Sequence, residues 1–146
     1  MTITTESIAS GNEDPGLVRL SESPHILAHP DEDVRDRTVR DSQGNDFGTV
    51  KDLIIDQAGQ KVRFLHVGQG GVLGIGQRTV LIPVDAIVRI TAEDVHINQD
   101  QDRVHGAPAY DPELTEARYY ESVYGYYGLG PFWAAGYTYP PFPHYP

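Results

Sequence analysis

The hydrophobic positions of this chain come in short runs separated by turn-forming residues. Thr38 and Val39 make a β-branched pair between Arg37 and Arg40, and Gly48–Asp56 (GTVKDLIID) follows, with Val50, Leu53 and Ile55 as the expected core residues. Lys61–Gly68 (KVRFLHVG) alternates, which puts Val62, Phe64 and His66 on one face and Arg63, Leu65 and Val67 on the other. Thr79–Pro83, Ala86–Ile90 and Val95–Ile97 complete a series of about six short strands. Asp41–Asn45 (DSQGN) and Asp56–Gln60 (DQAGQ) read as turns, where Gly and Asx residues supply the backbone conformations required. No helical periodicity lies between these runs. The pattern predicts a mainly β domain, a small antiparallel barrel or sandwich, and not βαβ units.

The period changes after Tyr110. Asp111 as N-cap, Pro112 at the first helical position and Glu113 in the first turn predict a helix running to about Tyr124 and ended by Gly125. Leu114, Ala117, Tyr120 and then Val123 or Tyr124 form its apolar stripe, and Tyr119 falls beside that stripe.

One stretch invites a chemical reading. Five glycines (Gly68, Gly70, Gly71, Gly74 and Gly76) fall within nine residues between two hydrophobic runs. A phosphate cradle needs a helix N-terminus behind the glycines to supply oriented amides. Here the following residues are Thr79-Val80-Leu81-Ile82-Pro83, a β-branched run closed by proline, and no Lys-Ser or Lys-Thr pair follows the glycines. The spacing of Gly68, Gly70 and Gly74 also misses the dinucleotide fingerprint by one residue. The run therefore reads as a structural hairpin in which Gly70, Gly71, Gly74 and Gly76 allow a sharp bend and Leu73 and Ile75 turn inward.

Composition narrows the function classes. A chain of 146 residues suffices for one domain with a core. It has no cysteine, which excludes a disulfide framework, thiolate metal sites and a cysteine nucleophile. No apolar run is long enough to span a membrane, and MTITTESIASGNEDPG at the start has neither a basic nor an apolar signal region, so a cytoplasmic protein is expected. The net charge of −10 sits mainly at the ends: seven acids and one base in residues 1–33, and four acids and one base in residues 106–146. The middle, with ten acids and nine bases, is nearly balanced. A nucleic-acid binder needs a basic face to displace counterions, and none is visible.

The aromatic residues divide the chain more sharply still. All nine tyrosines, Trp133, Phe132 and Phe142 lie between Tyr110 and Tyr145, with seven of the eleven prolines after residue 107. A disordered low-complexity tail is one reading. Against it, rings gain more from burial than other side chains, so at least partial ordering is expected, along the β domain or against a second copy. Tyr119, Tyr120, Tyr124, Tyr126, Tyr127, Phe132, Trp133, Tyr137 and Tyr139 are the candidate interaction residues, since Tyr and Trp are enriched at interface hot spots. Tyr139-Pro140-Pro141-Phe142-Pro143 also suits an extended, polyproline-like conformation.

Other chemistry is thin. His25 and His29 have i, i+4 spacing, but Pro24 and Pro30 bracket them, while His66, His96, His105 and His144 fall in separate elements. No metal site is expected, because such sites need three or four convergent ligands. Asp52, Asp56 and Asp85 are the carboxylates nearest the expected core, and the turn positions of Asp56 and Asp85 favour structural roles. No serine sits in a nucleophile elbow, so neither catalytic residues nor a cofactor site is expected.

Val67–Ile87, with GGVLGIG followed by VLIPVDAI, resembles the PRC-barrel family. Supporting stretches are DVRDRTVRDSQGNDFGTVKDLIID from Asp33, Lys61–Leu65, and Val95–Asn98 running on to Gly106-Ala107-Pro108. The resemblance covers roughly residues 17–114 and is closest to stand-alone members and those similar to the photosynthetic reaction-centre H subunit. It implies a six-stranded antiparallel β-barrel that serves docking or assembly, not catalysis. The H subunit has a membrane helix before its barrel and this chain shows none. His66 stands where that subunit carries a carboxylate.

The expected organisation is a flexible acidic arm (1–16, with the first fifteen residues mobile), the barrel with its lead-in (17–108), a short helix (109–125) and an aromatic Pro/Gly-rich tail (126–146). The expected function is non-enzymatic protein–protein docking or self-assembly, with a second copy as the first partner to consider. The alternative is an accessory subunit of a membrane-bound electron-transfer complex, attached peripherally to the membrane.

Overall fold

The computed structural model describes residues 11–23, 26–69 and 78–146. The predicted hairpin glycines Gly70, Gly71, Gly74 and Gly76, with Leu73 and Ile75, lie outside these residues, as does His25. Seven strands form one sheet: β1 (Leu17–Arg19), β2 (Thr38–Arg40), β3 (Asp46–Asp56), β4 (Lys61–Gln69), β5 (Arg78–Pro83), β6 (Ile87–Ile90) and β7 (Asp94–Ile97). Two helices follow, α1 (Gln101–His105) and α2 (Ala117–Tyr126).

The strand order is β5-β4-β3-β2-β7-β6, with β1 also paired to β3. The long strand β3 is the spine. It pairs with β4 from Thr49 to Asp56, while its other edge takes β2 at Asp46–Thr49 and β1 at Ile54–Asp56. Gly48 is required where β3 meets β4, because a Cβ there would stand 2.2 Å from the carbonyl oxygen of Gly68.

The expected six-stranded antiparallel barrel is corrected in three respects. The lead-in contributes an additional strand, β1, and β2 pairs with β7 in parallel. Nor does a ladder join β5 to β6 among the described residues, so the sheet is not closed. Pro83 ends β5 without an N–H, a 3₁₀ turn at Val84–Ala86 redirects the chain, and the Tyr110 N–H donates to the Thr79 carbonyl on β5 (2.9 Å).

Val39, Val50, Leu53, Ile55, Val62, Leu65, Val67, Val80, Ile82 and Val95 are fully buried and make the β core. From Asp52 to Asp56 every residue of β3 is buried, so both faces of the sheet are covered there. The second cover is α2. Phe64 on β4 meets Tyr124 and Tyr120 at centroid separations of 4.8 and 5.5 Å, and burying a ring of this kind stabilises by about 1.5–3 kcal/mol.

Helix α2 starts at Ala117, not in the Asp111–Glu113 turn where the capping residues predicted it. Asp111 instead closes a turn of its own, its carboxylate accepting from the Glu113 N–H at 3.0 Å and its carbonyl from the Leu114 N–H at 3.1 Å. The first free N–H groups of the helix, on Ala117 and Arg118, donate to the carbonyls of Glu13 and Gly11. Gly11 and Glu13 of the arm thus lie against the start of α2, and the Gly16 carbonyl accepts from the Gln57 N–H. At the other end the helix runs past Gly125. Gly128 (φ +76°) closes it, with the Leu129 N–H donating to the Tyr124 carbonyl and the Gly128 N–H to that of Gly125.

Candidate interaction surface

The C-terminal segment after α2 has no regular structure, yet it is fastened to the sheet at successive tyrosines. Short turns fold it: the Ala134 N–H donates to the Pro131 carbonyl and the Tyr137 N–H to that of Ala134, with Gly136 at φ +80°. The Tyr137 hydroxyl then donates to Asp85 Oδ2 (2.7 Å), that of Tyr139 to the Val62 carbonyl (3.0 Å), and that of Tyr145 to the Val84 carbonyl (3.4 Å). Phe142 is buried in the core, and His144 Nε2 lies 2.7 Å from Asp31 Oδ2. A segment rich in Tyr and Pro can order in this way because each ring has an apolar body to bury and a hydroxyl that reaches a partner.

Arg63 is the anchor beneath these rings. Its Nε donates to Asp56 Oδ2 at 2.8 Å, and both side chains are almost fully buried, 10% and 6% exposed. The guanidinium carbon lies 4.2 Å from the Phe132 centroid, 5.2 Å from that of Tyr139 and 5.7 Å from that of Tyr137. Lys61 Nζ adds a contact at 4.9 Å over Tyr139. Alternation placed Arg63 opposite Phe64. A register shift in the β3–β4 pairing makes Arg63 the extra residue; Arg63 contacts Phe132 of the C-terminal segment, while Phe64 contacts Tyr124 of α2.

The candidate rings divide by exposure. Tyr120, Tyr124 and Tyr127 are core residues of this chain, at most 7% exposed, and offer little to a partner. Burial pushes all three phenols up from their ordinary pKa. Tyr119, Tyr126, Phe132, Trp133, Tyr137 and Tyr139 remain half-buried. Two of these are tied down locally: the Tyr119 hydroxyl accepts from the Asp111 N–H, and Tyr126 lies 4.1 Å under the Arg103 guanidinium while its hydroxyl donates to the Arg103 carbonyl. Phe132 and Trp133 form an edge-on pair at 5.0 Å, and Trp133 reaches Tyr124 at 6.4 Å.

Two shallow grooves flank the Pro131–Ala135 turn. One, of about 310 Å³, lies between Trp133, Ala117, Glu121 and Gly11. The other, of about 290 Å³, lies between Leu129, Tyr137, Thr138 and Asp85. Pro131, Ala134 and Ala135 line both. Burial pushes the Asp85 carboxyl above the usual range, against the Tyr137 hydrogen bond and the Arg63 charge, and its Oδ1 has no hydrogen-bond partner among the described residues.

The remaining candidates are structural in their surroundings. Asp52 accepts from the N–H and the hydroxyl of Ser21 and so holds the Leu20–Glu22 3₁₀ turn. Asp56 serves Arg63 and the Gly59 N–H. His66 packs edge-on to Tyr110 at 4.7 Å, neither ring nitrogen has a hydrogen-bond partner among the described residues, and burial holds its pKa below the ordinary value. Among the described residues no three His, Asp or Glu side chains gather in a metal-binding group, and no helix is long and apolar enough to cross a membrane.

A small β-sheet domain wrapped by its own aromatic segment, with grooves on its surface, belongs to the class of compact β modules. The PRC-barrel domain model matches residues 28–104, more than half of the chain, and the protein belongs to that family. The comparison with curated proteins gives no match.

Proposed function

We propose that this chain is a non-enzymatic docking or self-assembly module whose contact surface is the outer side of its C-terminal segment, around Phe132, Trp133, Tyr137 and Tyr139. The observation that carries this reading is the half-exposure of these four rings on a segment fixed at Arg63, Asp85 and Val62. A pre-ordered aromatic surface binds without the entropic cost of ordering a free tail. PRC-barrel membership supports an interaction role, and the aromatic segment lies wholly beyond the matched residues.

Deleting the segment is a poor test, because Tyr127 and Phe142 belong to the core. Ala135→Arg is better: Ala135 is exposed and lines both grooves, so a long charged side chain there obstructs the surface and spares the fold. Light scattering of the intact chain is expected to give a mass above the 16.2 kDa monomer, and the variant a monomer. A monomer in both cases removes self-assembly and leaves docking to another protein.

A further inference from the structure

Both grooves beside the Pro131–Ala135 turn contain a carboxylate in their lining, Glu121 in one and Asp85 in the other, and among the described residues neither contains a lysine or arginine. We propose that the two grooves receive cationic side chains, arginine or lysine, of a basic partner segment that lies across the Pro131–Ala135 ridge. This rests on the docking reading above and adds the chemistry of the partner.

Three observations point this way. Residues 106–146 hold four acids against a single base, Arg118. That base is already engaged, bonded to Asn12 Oδ1 and 3.5 Å from Glu116. Arg63, the cation nearest Asp85, is likewise committed to Asp56. Asp85 is thus a partly dehydrated carboxylate whose Oδ1, buried beneath the groove wall, has no hydrogen-bond partner among the described residues, and a cation seated in the groove stabilises its charge through space. The groove walls suit the rest of such a side chain: its aliphatic stem packs on Pro131 and the alanines, and its charged end faces Trp133 in one groove or Tyr137 in the other.

Trp133 is the only tryptophan and lines the first groove, so its emission reports on occupancy. The full chain is titrated at low salt with the peptide acetyl-Ala-Arg-Ala-Ala-Arg-Ala-amide and with its citrulline counterpart, which keeps the shape and loses the charge. A saturable change with the arginine peptide, at least about tenfold weaker with citrulline, is the expected result, since charge-assisted contacts are the strong ones. Glu121→Gln, on the exposed face of α2, should weaken binding about two- to fivefold, as for an exposed ion pair. Asp85→Asn, which keeps an acceptor for Tyr137, should weaken it as well. Equal responses to both peptides, tighter binding of an acidic peptide, or no saturable change overturns the proposal. A response that appears only after removal of residues 1–10, which precede Gly11 in the sequence, also overturns it, by giving the first groove to the chain's own N-terminus. If Ala135→Arg abolishes self-association while the arginine peptide gives no response, the docking reading stands and this one falls.

Discussion

Arg63→Ala removes the group that ties the sheet to the C-terminal segment. The buried Asp56 carboxylate loses its partner and keeps only the Gly59 N–H and whatever water enters. Breaking one side of a buried ion pair costs about 3–5 kcal/mol. The three rings within 6 Å of the guanidinium lose a cation–π contact worth about 0.5–2 kcal/mol in total. The two losses share one side chain and are not additive, so the expected net loss is about 4 kcal/mol. For a chain of this size that lowers the thermal midpoint by roughly 10 °C.

Urea unfolding at constant m-value gives the energy directly. Limited proteolysis should show cleavage near the C-terminus of Arg63→Ala before cleavage within the sheet. In the double variant Asp56→Asn/Arg63→Met no charge is stranded, so it should lose less than the sum of the single variants by about 2 kcal/mol. A loss below about 1 kcal/mol for Arg63→Ala, or strict additivity in the double variant, would refute the argument that this pair anchors the segment.

Gly48→Ala forces a Cβ against the Gly68 carbonyl at 2.2 Å and should cost at least about 1–3 kcal/mol in urea unfolding; an unchanged midpoint contradicts the close strand approach. Tyr127→Phe removes a buried hydroxyl that has no partner and should leave stability unchanged or raised, whereas Tyr139→Phe removes the bond to the Val62 carbonyl and should cost about 0.5–1.5 kcal/mol. Burial lowers the pKa of His66 in the fold, so below about pH 6.5 the unfolded chain binds more protons. The contribution of this residue to stability is then full above that pH and declines as pH falls, and His66→Phe should flatten the slope between pH 5 and 7 measured by thermal unfolding. Asp85 has the opposite sign, its ionised form being the costly one, so Asp85→Asn should raise the unfolding midpoint at neutral pH.

Much of this fold is legible in the residues. The strands expected from alternation and turn chemistry coincide with β2 to β7 to within two residues at either end. What escapes is set by contacts between distant parts of the chain. Leu17–Arg19 is too short to show alternation and becomes a strand only because the end of β3 offers it an edge. The parallel pairing of β2 with β7 leaves no local trace. Helix α1 does leave one: the Asp100 side chain accepts from the Arg103 N–H at 2.9 Å, an N-cap signal for a helix too short to show periodicity.

At the interaction surface, the sequence shows which side chains are rich in contact potential but not how each one is spent. Tyr119, Tyr120, Tyr124 and Tyr127 look alike on the page, and Phe64 and Asp111 decide that some are buried and one is bonded at its hydroxyl. Arg63 was readable as an arginine inside a hydrophobic strand, a position that demands a carboxylate partner. The bulge that turns it toward the rings depends on the β3–β4 register and was not.

Site-specific photo-cross-linking in cells decides whether the ridge at Pro131–Ala135 is the proposed docking surface. A benzoylphenylalanine at position 135 is compared with one at position 57, an exposed residue in the β3–β4 turn that lines neither groove. A docking ridge gives a discrete protein adduct at position 135, to a second copy or to one other chain, and none at position 57. No adduct at position 135, or the same adducts at both positions, would contradict it.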